Sequence, residues 1–518
     1  MKRMTGILML TWLWLPLQLI AAEAPKTGGR LVFGLEKDIT SLNPFLRTQS
    51  TDEMVRNLFY EALVDTDANG NIIPSLAESW NVSKDGLDYT FKLRSGVKFH
   101  NGQEMTAEDV KWSAEYSMNP TNGATGLNYL KHVKSVAALD RYTVKFTLKA
   151  PIAPFLAYLA SIKAFSVAPK ESVPQGVETV PSFPPGTGPF QFKEYKAGRE
   201  IVFTRFKDYR QKGLPYLDEV VFKPVEEPTV RFASLRAGDL DMIERTPYAF
   251  VRKVDAAEVR GIKATAASGA GFRRIIFNVL EPPFNNPNLR LAVAYAIDKK
   301  QYLQGAFWGY GTPTDQRVPM GNSWFVKMPQ RERDAAKVKA LLKEAGVVGD
   351  FEPEMLGRKG AEEEYQVLER QLAGAGIKVK VTVLEFGAYR QRQRSGDFQM
   401  ILYGGDLPID PHDTYPVDYG CLGLEEAKAK KRTLNVSGYC NKEAEKIMEE
   451  AGKITDQKRR YEIYAKALPL IFGDAPEVPL AFVPRFYTYH DKVKGFVTDA
   501  DGRINATTFG ISRVWVEK

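Results

Sequence analysis

Segments with the two-residue alternation of half-buried β-strands and segments with helical periodicity follow one another along most of the chain. Residues 89–93 and 142–148 alternate apolar with polar side chains, as strands with one buried face do. Val338, Leu341 and Ala345 instead form an apolar stripe at helical spacing. This succession predicts a mixed α/β protein. Because the chain has 518 residues and a single core stops growing near ~250–300 residues, two or three domains are expected.

The first 24 residues have the pattern of a secretory signal peptide. A basic pair, Lys2 and Arg3, precedes an uncharged apolar stretch at 6–20, and the small residues within 22–24 suit a signal peptidase. The apolar stretch is shorter than the ~20 residues that cross a bilayer. No cysteine stands at the cleavage site, because the first cysteine of the chain is Cys421. We therefore expect a periplasmic protein that is cleaved on export and is not lipid-anchored.

The net charge of +8 and the pI near 9.0 raise the question of nucleic-acid binding. However, 71 basic residues are nearly matched by 63 acidic ones, and the two kinds are interspersed, which is typical of a solvated surface. We interpret the densest basic run, residues 428–432, as a solvated loop. Arg390, Arg392 and Arg394 are interpreted as a solvated helix face. No nucleic-acid partner is expected.

The two cysteines of the chain are Cys421 and Cys440. In an oxidising compartment a pair this close in sequence predicts a disulfide, which would contribute roughly 3 kcal/mol in the chain-entropy model. The alternative is a pair of metal ligands. The disulfide is favoured because no C-x-x-C motif is present and no histidine lies between the two cysteines.

An apolar run at 398–403 predicts a strand that stops at Gly404, Gly405 and Asp406. Ligands of open α/β proteins bind beyond the carboxyl ends of the strands, and glycine lets another group approach the backbone. A carboxylate in a closing cleft needs a partner charge, and a ligand ammonium would supply it. The other interpretation is that Asp406 only caps a turn or a helix.

Several sequence blocks carry a resemblance to a known family. Residues 57–113 contain, in order, the motifs FYEAL, PSLAESW, YTFKLRSGVKFH and AEDV. The further blocks are GTGPFQF from Gly186, LRAGDLDM from Leu235, RLAVAYAIDK from Arg290 and ALLKEAG from Ala340. Together they resemble the family 5 extracellular solute-binding proteins of ABC importers, which include dipeptide- and oligopeptide-binding proteins. The resemblance covers about residues 28 to 500.

The resemblance implies a periplasmic-binding-protein-like α/β fold, with two lobes around a ligand cleft and an extra subdomain inserted in lobe 1. The implied order is signal peptide (1–24), lobe 1 (25–50), inserted subdomain (51–182), lobe 1 again (183–268), lobe 2 (269–484) and lobe 1 (485–518). The Pro/Gly-rich stretch at 181–189 is expected to connect lobes. Residues 478–483 and 486–489 are expected to form a last strand pair.

The resemblance also implies roles for residues around the predicted strand end. In peptide-binding members an aspartate at this place pairs with the peptide α-ammonium, which implies that role for Asp406, with Tyr403 and Gly405 beside it. His412 is close to Asp406 in sequence and is a further candidate ligand contact. The two cysteines resemble the disulfide pair that follows this motif in dipeptide binders.

Two weaker implications concern other segments. The segment LNPFLRTQS resembles a first-lobe loop that touches the peptide backbone, which nominates Thr48, Gln49 and Ser50. In dipeptide binders an arginine before a "GI-V" strand unit binds the ligand carboxylate through a bidentate fork. Arg358 is the nearest arginine here, at a spacing that differs by a few residues.

Enzyme motifs are weak in this sequence. Ser95 and Lys98 match S-x-x-K, but they fall inside the structural block of the family. The four histidines have no metal-binding spacing, and no G-x-S-x-G elbow or P-loop is present. They are His100, His132, His412 and His490. We therefore expect no enzyme, no metal site and no cofactor, and a secreted hydrolase is the remote alternative.

The sequence thus predicts a monomeric periplasmic binding protein that captures a small ligand, in the first place a short peptide, and delivers it to the permease subunits of an ABC transporter. Lobe closure by a hinge is the expected motion. A binder of an oligosaccharide, an opine or a metal chelate is the alternative on the same fold. A regulatory module for a membrane sensor is a third class.

Overall fold

The structure is a computed structural model, and it describes residues 24–46, 50–67, 71–162, 164–172, 183–267, 271–405, 410–421, 423–432, 435–498 and 510–517. The predicted signal peptide lies outside these ranges, apart from Ala24. No helix within them is both long and apolar enough to cross a membrane.

The strands of the described residues are β1 (Arg30–Leu35), β2 (Val64–Thr66), β3 (Ile72–Pro74), β4 (Ala77–Val82), β5 (Asp88–Leu93), β6 (Val133–Asp140), β7 (Thr143–Leu148), β8 (Phe190–Lys196), β9 (Glu200–Arg205), β10 (Glu219–Pro224), β11 (Met242–Ile243), β12 (Ile262–Ala267), β13 (Phe272–Phe277), β14 (Thr312–Pro313), β15 (Glu354–Arg358), β16 (Lys380–Leu384), β17 (Met400–Gly405), β18 (Glu477–Phe482), β19 (Arg485–His490), β20 (Val493–Lys494) and β21 (Trp515–Val516).

The helices are α1 (Ser50–Arg56), α2 (Ala107–Met118), α3 (Leu127–Leu130), α4 (Phe155–Leu159), α5 (Pro228–Ala237), α6 (Tyr248–Asp255), α7 (Pro287–Ala296), α8 (Lys299–Phe307), α9 (Ala335–Glu344), α10 (Glu362–Ala373), α11 (Phe386–Ser395), α12 (Tyr415–Tyr419), α13 (Leu424–Lys428), α14 (Lys442–Gly452) and α15 (Gln457–Asp474). Strands and helices alternate, as the sequence predicts for an α/β protein.

The first sheet has the strand order β12-β19-β11-β1-β10-β9-β8. Its central strand β1 runs parallel to β10 and β11, and the other neighbours are antiparallel. One core face is aromatic, since the rings of Phe33 and Phe203 both pack on Phe222, with centroids 5.4 and 6.1 Å apart. We call this sheet and its helices the first-sheet unit.

A separate antiparallel sheet, β4-β5-β7-β6, forms the third-sheet unit together with α2–α4. The predicted alternation decides its geometry, because Tyr89, Phe91 and Leu93 face a buried core while the residues between them face outward. The edge-to-face pair of Phe91 and Phe146, with centroids 5.8 Å apart, closes this core between β5 and β7.

Residues 183–189 join the third-sheet unit to β8 of the first sheet. They pack on residues 57–60, which follow α1 directly. Gly188 N–H donates to Phe59 O (3.0 Å), and the Tyr60 hydroxyl donates to Pro184 O (2.5 Å). His100 N–H of the third-sheet unit donates to Gly186 O (2.9 Å). The expectation that this stretch connects two lobes is therefore wrong, because it is a buried junction between the first and third sheets.

The second sheet has the order β14-β18-β13-β17-β15-β16. Strands β15, β16 and β17 are parallel neighbours, while β13 and β18 run antiparallel to their partners. Helices α7–α10 supply apolar side chains such as Val293, Tyr302 and Leu368 to its core. A further cluster of aromatic and aliphatic side chains lies among α12, α14 and α15. We call this assembly the second-sheet unit.

The last two long strands do not form the expected pair. β18 lies in the second sheet, next to β13 and β14, whereas β19 lies in the first sheet, next to β11 and β12. The chain therefore crosses between the two units at 483–484. The chain also passes from β12 of the first sheet to β13 of the second, and Gly271 just before β13 is joined to the 483–484 crossing, since Val483 N–H donates to Gly271 O (2.7 Å). A Cβ on Gly271 would lie 2.7 Å from Val483 O, so only glycine fits there.

The predicted disulfide is confirmed. Cys421 and Cys440 are bonded, with their Cα atoms 4.5 Å apart. The bond closes a loop that includes α13 and the basic run at 428–432.

Candidate functional site

Three strand ends of the second sheet meet at one edge. Met355 and Leu356 of β15 pair in parallel with Met400 and Ile401 of β17, and β16 continues the parallel set on the other side of β15. The carboxyl ends of all three strands therefore lie together, which is where ligands of α/β proteins bind. α11 begins at this edge directly after β16.

A cavity of about 1000 Å³ opens at this edge. Arg358 at the end of β15 and Tyr403 and Gly404 of β17 line it, together with the side of α11. The structure thus brings Arg358 and Tyr403 to one cavity, although 44 residues lie between them in sequence. A volume of this size suits a ligand of a few amino-acid residues.

The backbone at Arg358 is fixed from both sides by one tyrosine. Tyr365 Oη accepts from Arg358 N–H (2.7 Å) and donates to Arg358 O (3.1 Å). The Tyr365 ring also packs so closely on Gly357 that a Cβ there would lie 2.5 Å from it. The Arg358 guanidinium itself is exposed at the cavity.

Strand β17 runs two residues further than the sequence predicts. Gly404 and Gly405 still pair with Arg273 and Phe272 of β13. A Cβ on Gly404 would lie 2.5 Å from Arg273 Nη1, so the glycine makes room for the arginine of the neighbouring strand. Tyr403 lies beside it, with its ring 5.2 Å from the Arg274 guanidinium.

The remaining predicted ligand contacts are not among the described residues that line this cavity. Asp406, Thr48 and Gln49 lie outside the described residues. Ser50 begins α1 in the first-sheet unit, where Arg245 Nη2 donates to its hydroxyl (3.0 Å). Ser50 is not among the residues that line the cavity.

His412 lies in the second-sheet unit, away from the cavity lining. Its Nδ1 is 2.8 Å from the Tyr464 hydroxyl, and its ring fills the space in which Gly452 has no side chain. Burial lowers the pKa of His412 to about 4, so the imidazole is neutral at physiological pH. These contacts give His412 a packing role between α14 and α15.

The interpretation of the basic segments as solvated surface is wrong in part. Arg432 is buried, and its guanidinium donates to Asn278 Oδ1 (2.8 Å) and Val436 O (2.6 Å). Arg390 and Arg394 of α11 line the cavity, as do Lys430 and Lys431. The i, i+4 spacing of the two arginines could have indicated a shared face. We define the basic groove by Arg358, Arg390, Arg394, Lys430 and Lys431.

The third-sheet unit touches the second-sheet unit beside His412. Ala153 N–H donates to Gly452 O (3.0 Å) across this contact, and the Tyr158 hydroxyl donates to the Asp413 carboxylate. Burial, followed by the charge of Asp410, raises the pKa of Asp413 to about 7. A protonated carboxyl is therefore stabilised at the contact near neutral pH.

We expect Asp413→Asn to flatten the pH dependence of stability. The carboxyl ionises near ~4 in the unfolded chain but only near 7 in the folded one. The free energy of unfolding of the wild type therefore falls as the pH rises between these values, and it levels off above them. For every pKa unit by which the Asp413 carboxyl is higher in the folded chain than in the unfolded chain, the free energy of unfolding falls by ~1.4 kcal/mol across this pH range. Urea unfolding at pH 5 and pH 8 measures the difference.

Asp239→Asn is the matched control, because Asp239 is exposed on the first-sheet unit. It should leave the wild-type pH dependence unchanged. If Asp413→Asn and Asp239→Asn give parallel curves, the Asp413 carboxyl ionises normally in the folded protein.

Comparisons with known proteins agree with this architecture. The family model for bacterial extracellular solute-binding proteins, family 5 (Middle), matches residues 71–423. The glutathione-binding protein GsiB of Pectobacterium atrosepticum is 30% identical over 483 residues, which cover 91% of this chain and 92% of that protein. The match therefore extends over both chains almost end to end.

Two solved structures share the fold. The ABC transporter-associated periplasmic binding protein DppA from Helicobacter pylori, in complex with peptide STSA, has a TM-score of 0.79 and 29% identity, covering 95% of this chain and 99% of that one. The binding protein AgaA of Agrobacterium tumefaciens R10, in complex with agropinic acid, has a TM-score of 0.78 and 28% identity, covering 95% and 99%.

The matched family model, the full-length relatives and the shared fold lead to one conclusion: this chain belongs to family 5 of the bacterial extracellular solute-binding proteins, which bind small solutes for ABC transporters and are not enzymes.

Proposed function

We propose that this protein captures a short peptide in the periplasm and delivers it to the permease of an ABC transporter. The observation that carries the proposal is the cavity at the β15–β17 edge. Arg358, which is exposed, lines it, and Asp406 follows directly on the last residue of β17 in sequence. A zwitterionic peptide offers a carboxylate to the first of these groups and an ammonium to the second.

The relatives support a peptide over a sugar. The P. atrosepticum relative is a glutathione-binding protein, and glutathione is a modified tripeptide, while the H. pylori structure holds a tetrapeptide. In this proposal Thr48, Gln49 and Ser50 approach the peptide backbone from lobe 1 when the lobes close. The predicted lobe boundaries stay a prediction, with the first and third sheets assigned to lobe 1 and the second sheet to lobe 2.

We expect Asp406→Asn to weaken peptide binding about 10- to 100-fold, since a charge-assisted hydrogen bond contributes about 1.5–3 kcal/mol. The measurement is isothermal titration of the ligand-stripped mature protein with tri-alanine and with glutathione. N-acetylated tri-alanine, which lacks the ammonium, should bind the wild type as weakly as the free peptide binds the variant.

The exposed Asp239→Asn serves again as the control and should bind like the wild type. The proposal fails if no peptide binds and agropinic acid, the ligand in the A. tumefaciens structure, does. If peptides bind the wild type and Asp406→Asn equally, the peptide ligand stands but the ammonium partner is another group.

A further inference from the structure

The basic groove holds more positive charge than one peptide carboxylate needs. Besides Arg358, four cations line the cavity, namely Arg390, Arg394, Lys430 and Lys431, and no Asp or Glu is among the described lining residues. Within the described part of the chain, none of the five forms an ion pair with a carboxylate. A cluster of like charges at a concave surface creates a strong positive potential.

Two neighbouring cations that do not line the cavity are paired with carboxylates. Arg392, between the two groove arginines on α11, contacts Glu354 (2.8 Å) and Asp397 (2.9 Å). Lys428, just before the groove lysines, contacts Glu425 (2.8 Å). These acids contact cations that do not line the cavity, and the described lining of the groove carries cations without a carboxylate.

The wall that carries the lysines is held in place by the backbone. Arg432 N–H donates to Arg394 O (2.7 Å), which ties the lysine segment to the last turn of α11. The buried Arg432 side chain and the disulfide closing the loop anchor the same segment. Lys430 adopts a left-handed conformation (φ 58°) at the turn. The two lysines therefore face α11 across the groove from a fixed wall.

The start of α11 adds to the same potential. Phe386 and Gly387, in its first turn, line the cavity, and the helix has no side-chain cap. The exposed N–H groups of a first helical turn favour anions. Glu385, which precedes the helix, is engaged by Lys359 (2.8 Å) on the outside. The first turn of α11 and the basic side chains therefore both favour a negatively charged ligand.

We propose that the basic groove binds carboxylates beyond the peptide terminus, so that the ligands of this protein are acidic peptides. This rests on the proposed function, because the carboxylates in question are those of a captured peptide. The acidic side chains lie along α11 toward Lys430 and Lys431, where bidentate arginine contacts and lysine charges balance them.

The test compares two peptides that differ only in charge, Ala-Glu-Glu and Ala-Gln-Gln, by isothermal titration of the mature protein. The wild type should bind Ala-Glu-Glu at least tenfold more tightly in 50 mM NaCl, and the preference should shrink in 300 mM NaCl as the charges are screened. Lys430→Gln/Lys431→Gln should lower the preference several-fold, measured as the ratio of the affinities for Ala-Glu-Glu and Ala-Gln-Gln.

Lys339→Gln/Lys343→Gln is the matched control. It removes the same charge from two exposed lysines of α9, outside the groove, and should keep the full preference. If the wild type binds both peptides equally, the acidic-peptide assignment is wrong while peptide capture stands.

Titration with citrate, a carboxylate that is not a peptide, distinguishes a failure of the peptide function from a failure of the groove assignment. If neither peptide binds, the proposed function fails. In that case, citrate binding that is lost in Lys430→Gln/Lys431→Gln would retain the groove as an anion site for a non-peptide acid. Absence of citrate binding as well would overturn the groove assignment together with the peptide function.

Discussion

Replacing Arg317 with methionine is expected to lower the free energy of unfolding by about 3–5 kcal/mol. The Arg317 guanidinium is buried and donates to both carboxylate oxygens of Glu477 (3.0 and 2.6 Å) and to Asp418. Arg274 pairs with the same glutamate (2.7 Å), so the buried network has two cations and two anions. Burial alone would lower the pKa of Arg317, but the two carboxylates raise it. Methionine would leave one buried negative charge without a partner.

Lys92→Met is the control for this substitution. Lys92 contacts Glu78 (2.7 Å) on the exposed face of the third-sheet unit, and such surface pairs contribute about 0–1 kcal/mol. Urea unfolding of both variants measures the difference. Adding Asp418→Asn to Arg317→Met restores neutrality and should recover part of the loss. Equal effects of Arg317→Met and Lys92→Met would show that the network does not stabilise the fold.

Gly186→Ala is expected to cost about 3 kcal/mol or more, at the upper end of overpacking effects. A Cβ at this position would lie 1.7 Å from Phe59 O, and a backbone oxygen cannot rotate away as a side chain does. The junction between the first and third sheets would have to open. Because His100 N–H donates to Gly186 O, the displacement would also disturb the third-sheet unit.

Gly473→Ala is the matched glycine control. Gly473 lies in α15, and nothing stands within 4 Å of a Cβ placed on it. Alanine is favoured over glycine in a helix by about 1 kcal/mol, so this variant should be as stable as the wild type or more so. Thermal unfolding followed by circular dichroism distinguishes the two. A Gly186→Ala protein with the wild-type melting temperature would mean that the junction accommodates a side chain.

The local sequence pattern predicts those strands in which apolar and polar residues alternate, because the apolar residues then all lie on the one face that is buried. Strands β5 and β7 lie within one residue of the predicted 89–93 and 142–148, because one face of each packs on the same core. The local pattern does not predict the partners of β18 and β19, since the two strands are separated by only two residues and their partners β13 and β12 come from distant segments. The boundary at 484/485 that the resemblance implies does place the two strands in different parts of the chain.

The candidate site was predictable only where a single strand end defines it. The run that ends near Tyr403 marks the edge of the second sheet at which the cavity opens, and Arg358 lines the same cavity. The basic groove was missed because its two walls are 36 or more residues apart in sequence. They meet through one backbone hydrogen bond, from Arg432 to Arg394. The positions of Asp406, Thr48 and Gln49 stay a prediction.

The place of β19 in the first sheet affects the order in which the chain can mature. This strand comes from 485–490, yet it lies inside the sheet, between β11 and β12. In a nascent chain that has not reached it, β11 has β1 on one side but an open edge on the other, and β12 lacks the neighbour it has in the finished sheet. The sheet that begins with β1 is therefore completed only after nearly the whole polypeptide has been made. Any truncation before residue 485 would therefore remove a strand from the interior of the sheet to which β1 belongs.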